Sequence, residues 1–161
     1  MDLSVAKPWR WQPLPGLNLG RSCMALVVYM NKLLVFGGVG VGTVDNTLDS
    51  VENILDSVEM LDLQKLDQGW KLLKSRMPGK RQNHAAVYVD GVILVGGGKN
   101  EHGQIIRTIW EFNIESEIWK TTEHCMKTKL GRIAPVMLCT KVMLCGRLWF
   151  VRVDRRVGRE D

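Results

Sequence analysis

Residues 81–98 read RQNHAAVYVDGVILVGGG, and this stretch constrains the fold more than any other. Two apolar runs, Ala85–Val89 and Val92–Val95, flank Asp90-Gly91. Asp-Gly between β-prone runs signals a hairpin, because a two-residue type I′ turn needs φ > 0 at both central positions. The second run ends in Gly96-Gly97-Gly98. Glycines there mark a close backbone approach or a left-handed conformation that a Cβ would block.

The pattern recurs. Arg21 opens RSCMALVVYMNKLLVFGG, which ends at Gly37-Gly38. Fifty-nine residues separate Tyr29 from Tyr88 and Gly37 from Gly96, so these are expected to be equivalent. A weaker copy, RIAPVMLCTKVMLCG, runs from Arg132 to Gly146. Trp11, Trp70 and Trp119 each precede one copy by 10 to 13 residues. Before two of them lie further strands, VEMLDL (Val58–Leu63) and IWEFNI (Ile109–Ile114), each with an acidic or amide residue near its end.

The unit is therefore Arg, strand, turn, strand, Gly-Gly, loop, strand ending in Asp or Asn, turn, strand with Trp. This resembles the kelch repeat, in which about 50 residues build one four-stranded propeller blade. The resemblance covers roughly residues 9–146. Leu61 stands where the family usually has Tyr, and the third copy has one glycine instead of two. The resemblance implies an all-β chain, an incomplete kelch-type β-propeller of four-stranded antiparallel blades. Blades are expected near 21–73 and 81–121, with a partial blade over 132–154 and an orphan outer strand over 9–14. Residues 1–8 are expected to be disordered, and 155–161 to form a basic tail. Asn31-Lys32 is the expected turn of the first hairpin. The long loop Val39–Ser57 carries Leu48, Val51, Leu55 and Val58 at helical spacing, which predicts a short helix.

The chain has 161 residues, 45% hydrophobic, which suits one domain with a sufficient core. Its net charge of +5 is scattered, apart from Arg152, Arg155, Arg156 and Arg159. Nucleic-acid binding would want a basic face with interleaved aromatics, so none is expected. Four cysteines with no secretory signal suggest a reducing, cytoplasmic setting. No apolar run reaches membrane-spanning length.

Candidate chemistry is sparse. Gly37-Gly38-Val39-Gly40-Val41-Gly42 follows a strand, the context of a dinucleotide loop, and supports an alternative reading as a nucleotide-binding enzyme. Thr43 occupies the third glycine position, and a repeat glycine pair running into a loop explains the same residues. His124, Cys125, Cys139 and Cys145 lack the close spacing of a zinc site. His84 reads as a strand-start residue without a catalytic partner. Asp45, Asp49, Glu52 and Asp56 read as a solvated face, since an Asp-x-Asp-x-Asp pattern is absent. The regular tryptophans read as core. An oxidase of the kind some kelch-like propellers form would need histidine ligands near Cys23 and the tyrosines, and none is evident. No cofactor and no catalysis are expected.

The resemblance implies a protein-interaction module whose loops bind a partner on one face. Many family members recruit substrates to ubiquitin ligases through an additional domain, which this stretch lacks. The loops are Val39–Ser57, Lys74–Arg81, Lys99–Arg107 and Thr122–Arg132. Arg81, Asn83 and His102 are the expected partner-binding residues. Two blades and a fraction fall short of the four to eight of a closed ring. Uncovered blade faces are therefore expected to associate with further repeats or with a second copy, and a truncated, non-functional fragment is the remaining alternative.

Overall fold

The computed structural model describes residues 12–43, 50–125, 134–138 and 141–145, and the side chains of residues 12–40 and 53–122. In chain order the strands are β1 (Arg21–Ser22), β2 (Ala25–Tyr29), β3 (Lys32–Phe36), β4 (Val39–Thr43), β5 (Ser50–Ile54), β6 (Val58–Asp62) and β7 (Trp70–Leu72). They continue with β8 (Ala85–Val89), β9 (Val92–Gly96), β10 (Thr108–Asn113), β11 (Ile118–Cys125), β12 (Ala134–Leu138) and β13 (Lys141–Cys145). A single 3-10 turn at Leu66–Gln68 is the one helical piece among the described residues.

Two four-stranded antiparallel sheets form, β2-β3-β6-β7 and β8-β9-β10-β11. A two-stranded sheet, β12-β13, follows. The first strands of successive sheets are neighbours, β2 against β8 and β8 against β12. This radial succession of meandering sheets is the expected propeller fold, without a closed ring among the described residues.

Local chemistry explains the hairpins. Asp90 (φ 44°) and Gly91 (φ 93°) both have positive φ, as a type I′ turn demands. The first hairpin turns one residue earlier than expected, at Met30-Asn31, because Tyr29 pairs with Lys32. Asp62 and Asn113 end the third strands and stabilise the next turns. Asp62 Oδ1 accepts from Asn31 Nδ2 (2.8 Å) and Gln64 N (2.9 Å). Asn113 Oδ1 accepts from Ser116 N (2.9 Å).

Alternation buries one face of each strand. Ala25, Val27, Leu34, Phe36 and Val58 of the first sheet meet Ala86, Ile93, Val95, Trp110 and Phe112 of the second. Phe36 lies edge-on to Phe112 (5.8 Å) and Trp119 (5.9 Å), so Trp119 closes one sheet on the next, as core. Trp70 instead donates from Nε1 to Pro15 O (2.8 Å).

Three expectations are corrected. Residues 50–54 form β5 and pair with β4, so a hairpin replaces the helix expected from Leu48, Val51, Leu55 and Val58. A helical spacing of apolar residues does not decide when the segment folds back on a neighbouring strand. Residues 12–14 of the expected strand 9–14 are not in strand, and 9–11 lie outside the described residues. The repeat offset is 60, not 59: Ala25 pairs with Phe36 and Ala85 with Gly96. Gly37-Gly38 therefore corresponds to Gly97-Gly98, and Tyr29 to Val89. Tyr29 and Tyr88 sit on opposite faces of their own sheets, and their rings meet across the interface at 4.7 Å. The expected 1–8 and 155–161 tails, and residues 146–154 of the expected partial blade, lie outside the described residues.

Candidate partner-binding rim

The strand-two ends, strand-three starts and blade-to-blade links share one rim, and two arginines organise it. Arg21 Nη1 donates to Gly37 O (3.1 Å) and Ser57 O (3.3 Å). Arg81 Nη1 donates to Gly97 O (3.1 Å) and Thr108 O (3.1 Å), and its Nη2 to Thr108 Oγ1 (3.1 Å). Each guanidinium ties together both ends of the loop that joins strands two and three. Buried loop carbonyls require such donors, and a five-donor fork supplies several at once.

The third partner differs between the repeats. Arg21 pairs with Glu59, both side chains 1% exposed. In the second sheet the equivalent of Glu59 is Trp110, since Val35 faces Glu59 and Val95 faces Trp110. Arg81 accordingly lies over the Trp110 ring at 3.7 Å, an aromatic face in place of a carboxylate. Desolvation lowers the Arg81 guanidinium to about 10, which still leaves it charged at neutral pH.

This corrects the expectation for Arg81. Its residue is 0% exposed, so it cannot touch a partner. An arginine ahead of a strand reads as surface until the carbonyls it must satisfy are known. Asn83 is half-buried with φ 53°, and its N–H donates to Cys23 O (2.9 Å). Cys23, its repeat equivalent, is exposed with φ 54°. Of the three residues singled out, only His102 stands clear, its side chain 73% exposed.

The loop carrying His102 is internally ordered. Asn100 Oδ1 accepts from His102 N (3.0 Å) and Gln104 N (2.9 Å), and Asn100 Nδ2 donates to Gln104 Oε1 (2.9 Å). Lys99 bridges in strand fashion to Gln82 and Ile105. Lys80 and Glu101 pair across the loop at 2.8 Å, and the hydrogen bond from Lys80 holds the Glu101 carboxyl below its usual range. Asn100 and Thr108 escaped the sequence reading. The signal was the second arginine, whose role needs acceptors at both loop ends.

The backbone at these loops admits only glycine. Gly38 (φ 92°) would place a Cβ 2.4 Å from Ser22 O, and Gly98 (φ 78°) 2.2 Å from Gln82 O. Gly96 is not in this class: its Cβ would meet Ile109 Cγ1 at 3.4 Å.

The dinucleotide-loop alternative loses its context. Gly38–Gly42 runs into β4, which pairs with β1 and β5, and among the described residues no helix follows. The Gly38 N–H is taken by Arg81 O (2.9 Å). Among the described residues no group of three or more His, Cys, Asp or Glu could hold a metal. The side chains of His124, Cys125, Cys139 and Cys145 lie outside the described residues. His84 is 3% exposed at the start of the second sheet. Desolvation, then the charge of Arg81, lowers it to about 3, so it is neutral. A depression of about 160 Å³ on the far face of the second sheet is lined by Val92, Glu111, Asn113, Ser116, Ile118 and Lys120. Small-molecule sites are larger, roughly 300–1,000 Å³.

The fold and rim define a propeller scaffold that presents ordered loops. Residues 80–122 match the kelch motif. The solved structure described as "Structure of YjhT" shares the fold at a TM-score of 0.72, with 17% identity over 86% of this chain. This chain spans 48% of that structure's length. No curated protein matches it.

Proposed function

We propose that this chain is a non-enzymatic protein-interaction module that binds a partner protein through the arginine-stapled rim. The observation that supports the reading is the pre-ordered loop 99–107, closed at both ends by Arg81 and braced internally by Asn100. A loop held in one conformation loses little entropy on binding, and binding residues concentrate on loops over rigid sheets. The partner surface comprises His102, the exposed edge of Asn83 and the β4–β5 hairpin. We extend the reading to substrate recognition for a ubiquitin ligase adaptor in the cytoplasm, on the kelch resemblance. No helix among the described residues is long and apolar enough to cross a membrane.

A photo-crosslinking residue at position 102 tests the rim against one at position 118, on the far face of the second sheet. The expected result is a discrete protein adduct from position 102 alone, lost in Asn83→Asp. Equal adducts from both positions would sink the assignment. A heat-shift titration addresses catalysis by a nucleotide enzyme: a stabilising shift with millimolar nucleotide would contradict the non-enzymatic reading.

A further inference from the structure

Tyr29 and Tyr88 are the chain's two tyrosines. Far apart in sequence, their rings meet at 4.7 Å between centroids, with the planes inclined by 47°. Aromatic pairs range over roughly 4.5–7 Å, so these two stand near the close limit. Tyr29 ends β2 and Tyr88 lies near the end of β8, the first strands of the two four-stranded sheets. Both rings are half-buried against the core that the sheets share. Their backbones are fixed by pairing, Tyr29 with Lys32 and Tyr88 with Ile93. The pair sits beside the hairpin turns, at the strand ends remote from the rim.

The hydroxyl ends meet as well as the rings. Partial burial raises the Tyr29 phenol above its usual range; the charges of Tyr88 and Glu115 add to this, as does a side-chain hydrogen bond with Tyr88. The Tyr29 phenol is therefore protonated at neutral pH. A hydrogen bond between two phenols sets the carbons ortho to their oxygens side by side. Those are the ring carbons at which oxidised phenols join, because the para carbon already carries the side chain.

We propose that Tyr29 and Tyr88 form a modification site, which a one-electron oxidant couples into an intramolecular dityrosine joining the two sheets. Each phenol gives one electron and one proton to the oxidant. The two phenoxyl radicals pair to form one C–C bond between ortho carbons. Each of those carbons then passes its hydrogen to its own ring oxygen, which restores both aromatic rings. With hydrogen peroxide and a haem peroxidase as oxidant, two tyrosines and one peroxide give one dityrosine and two waters. The bond closes a long loop and so restricts the unfolded chain, as a disulfide does. Unlike a disulfide, it is not cut by thiols.

Oxidation of the full chain by hydrogen peroxide and a haem peroxidase tests this. The expected product is a monomer lighter by two hydrogens, with tryptic peptides 22–32 and 82–99 joined. Met30, 79% exposed, gains oxygen in the same mixture, a mass change of opposite sign. The yield of the joined peptides is expected to be independent of protein concentration and to fall severalfold in urea. Tyr29→Phe and Tyr88→Phe keep the ring contact and are each expected to abolish the product with unchanged circular dichroism. The joined chain is expected to melt at a higher temperature than the untreated one. Cross-links only between chains, a yield that grows with concentration, an equal yield in urea, or no joined peptides in the folded chain would each overturn the proposal.

Discussion

Arg81 lies 3.7 Å over the ring of Trp110, at the place where the preceding repeat sets Arg21 against Glu59. One backbone task, holding the two ends of a loop, is thus performed in two electrostatic settings. The settings differ in what is stranded when the arginine is removed.

Arg21→Met is expected to destabilise the fold by about 3–5 kcal/mol, since it leaves Glu59 buried without its cation. Arg81→Met strands only carbonyl and hydroxyl oxygens and retains contact with Trp110, so about 2–3 kcal/mol is expected. Urea unfolding of the two variants checks the ranking. An Arg81→Met chain less stable than Arg21→Met would contradict it. Arg81→Glu buries a carboxylate under an indole and is expected to unfold the second sheet.

The glycines separate in the same way. Gly98→Ala forces a Cβ to 2.2 Å from Gln82 O at positive φ, and a loss of about 3 kcal/mol or more is expected. Gly96→Ala meets one side-chain methylene at 3.4 Å and has no such backbone demand, so less than about 1 kcal/mol is expected. Thermal melts of both variants settle the point, and equal losses would refute the assignment.

His84 sets a pH dependence. Its folded-state value of about 3 lies below the ordinary 6.5 because burial and the neighbouring Arg81 charge oppose protonation. The unfolded chain therefore binds the proton first. The stabilisation is fully present above pH 6.5 and is lost as pH falls from there toward 3. Stability measured between pH 6 and 4 should fall by up to about 1.4 kcal/mol per pH unit more in wild type than in His84→Leu. Identical slopes for the two chains would count against a neutral, buried His84.

Loop order at the rim depends on Asn100. Asn100→Ala removes the acceptor for His102 N and Gln104 N without touching the core. Amide exchange at residues 102 and 104 should rise at least severalfold while global stability falls by less than about 1 kcal/mol. Unchanged exchange at both amides would show that the loop is ordered by other contacts.

Much of this protein was legible as a string. Asp90-Gly91 and its flanking runs specify a hairpin by local sterics, and the order of glycines, Asp or Asn and tryptophan specifies a four-stranded repeat. Strand positions followed within a residue or two, because alternation and turn chemistry act over short range. Tertiary structure decided what depends on pairing. A one-residue difference in register moved the repeat offset from 59 to 60 and put Tyr29 and Tyr88 on facing surfaces instead of equivalent ones. Pairing with β4 turned a helical-looking segment into β5. The fate of Arg81 was settled the same way. Its sequence neighbours are polar, yet the carbonyls of Gly97 and Thr108 converge on it from 16 and 27 residues away. A buried acceptor must be satisfied by whichever donor the fold brings to it, and that choice is made in three dimensions.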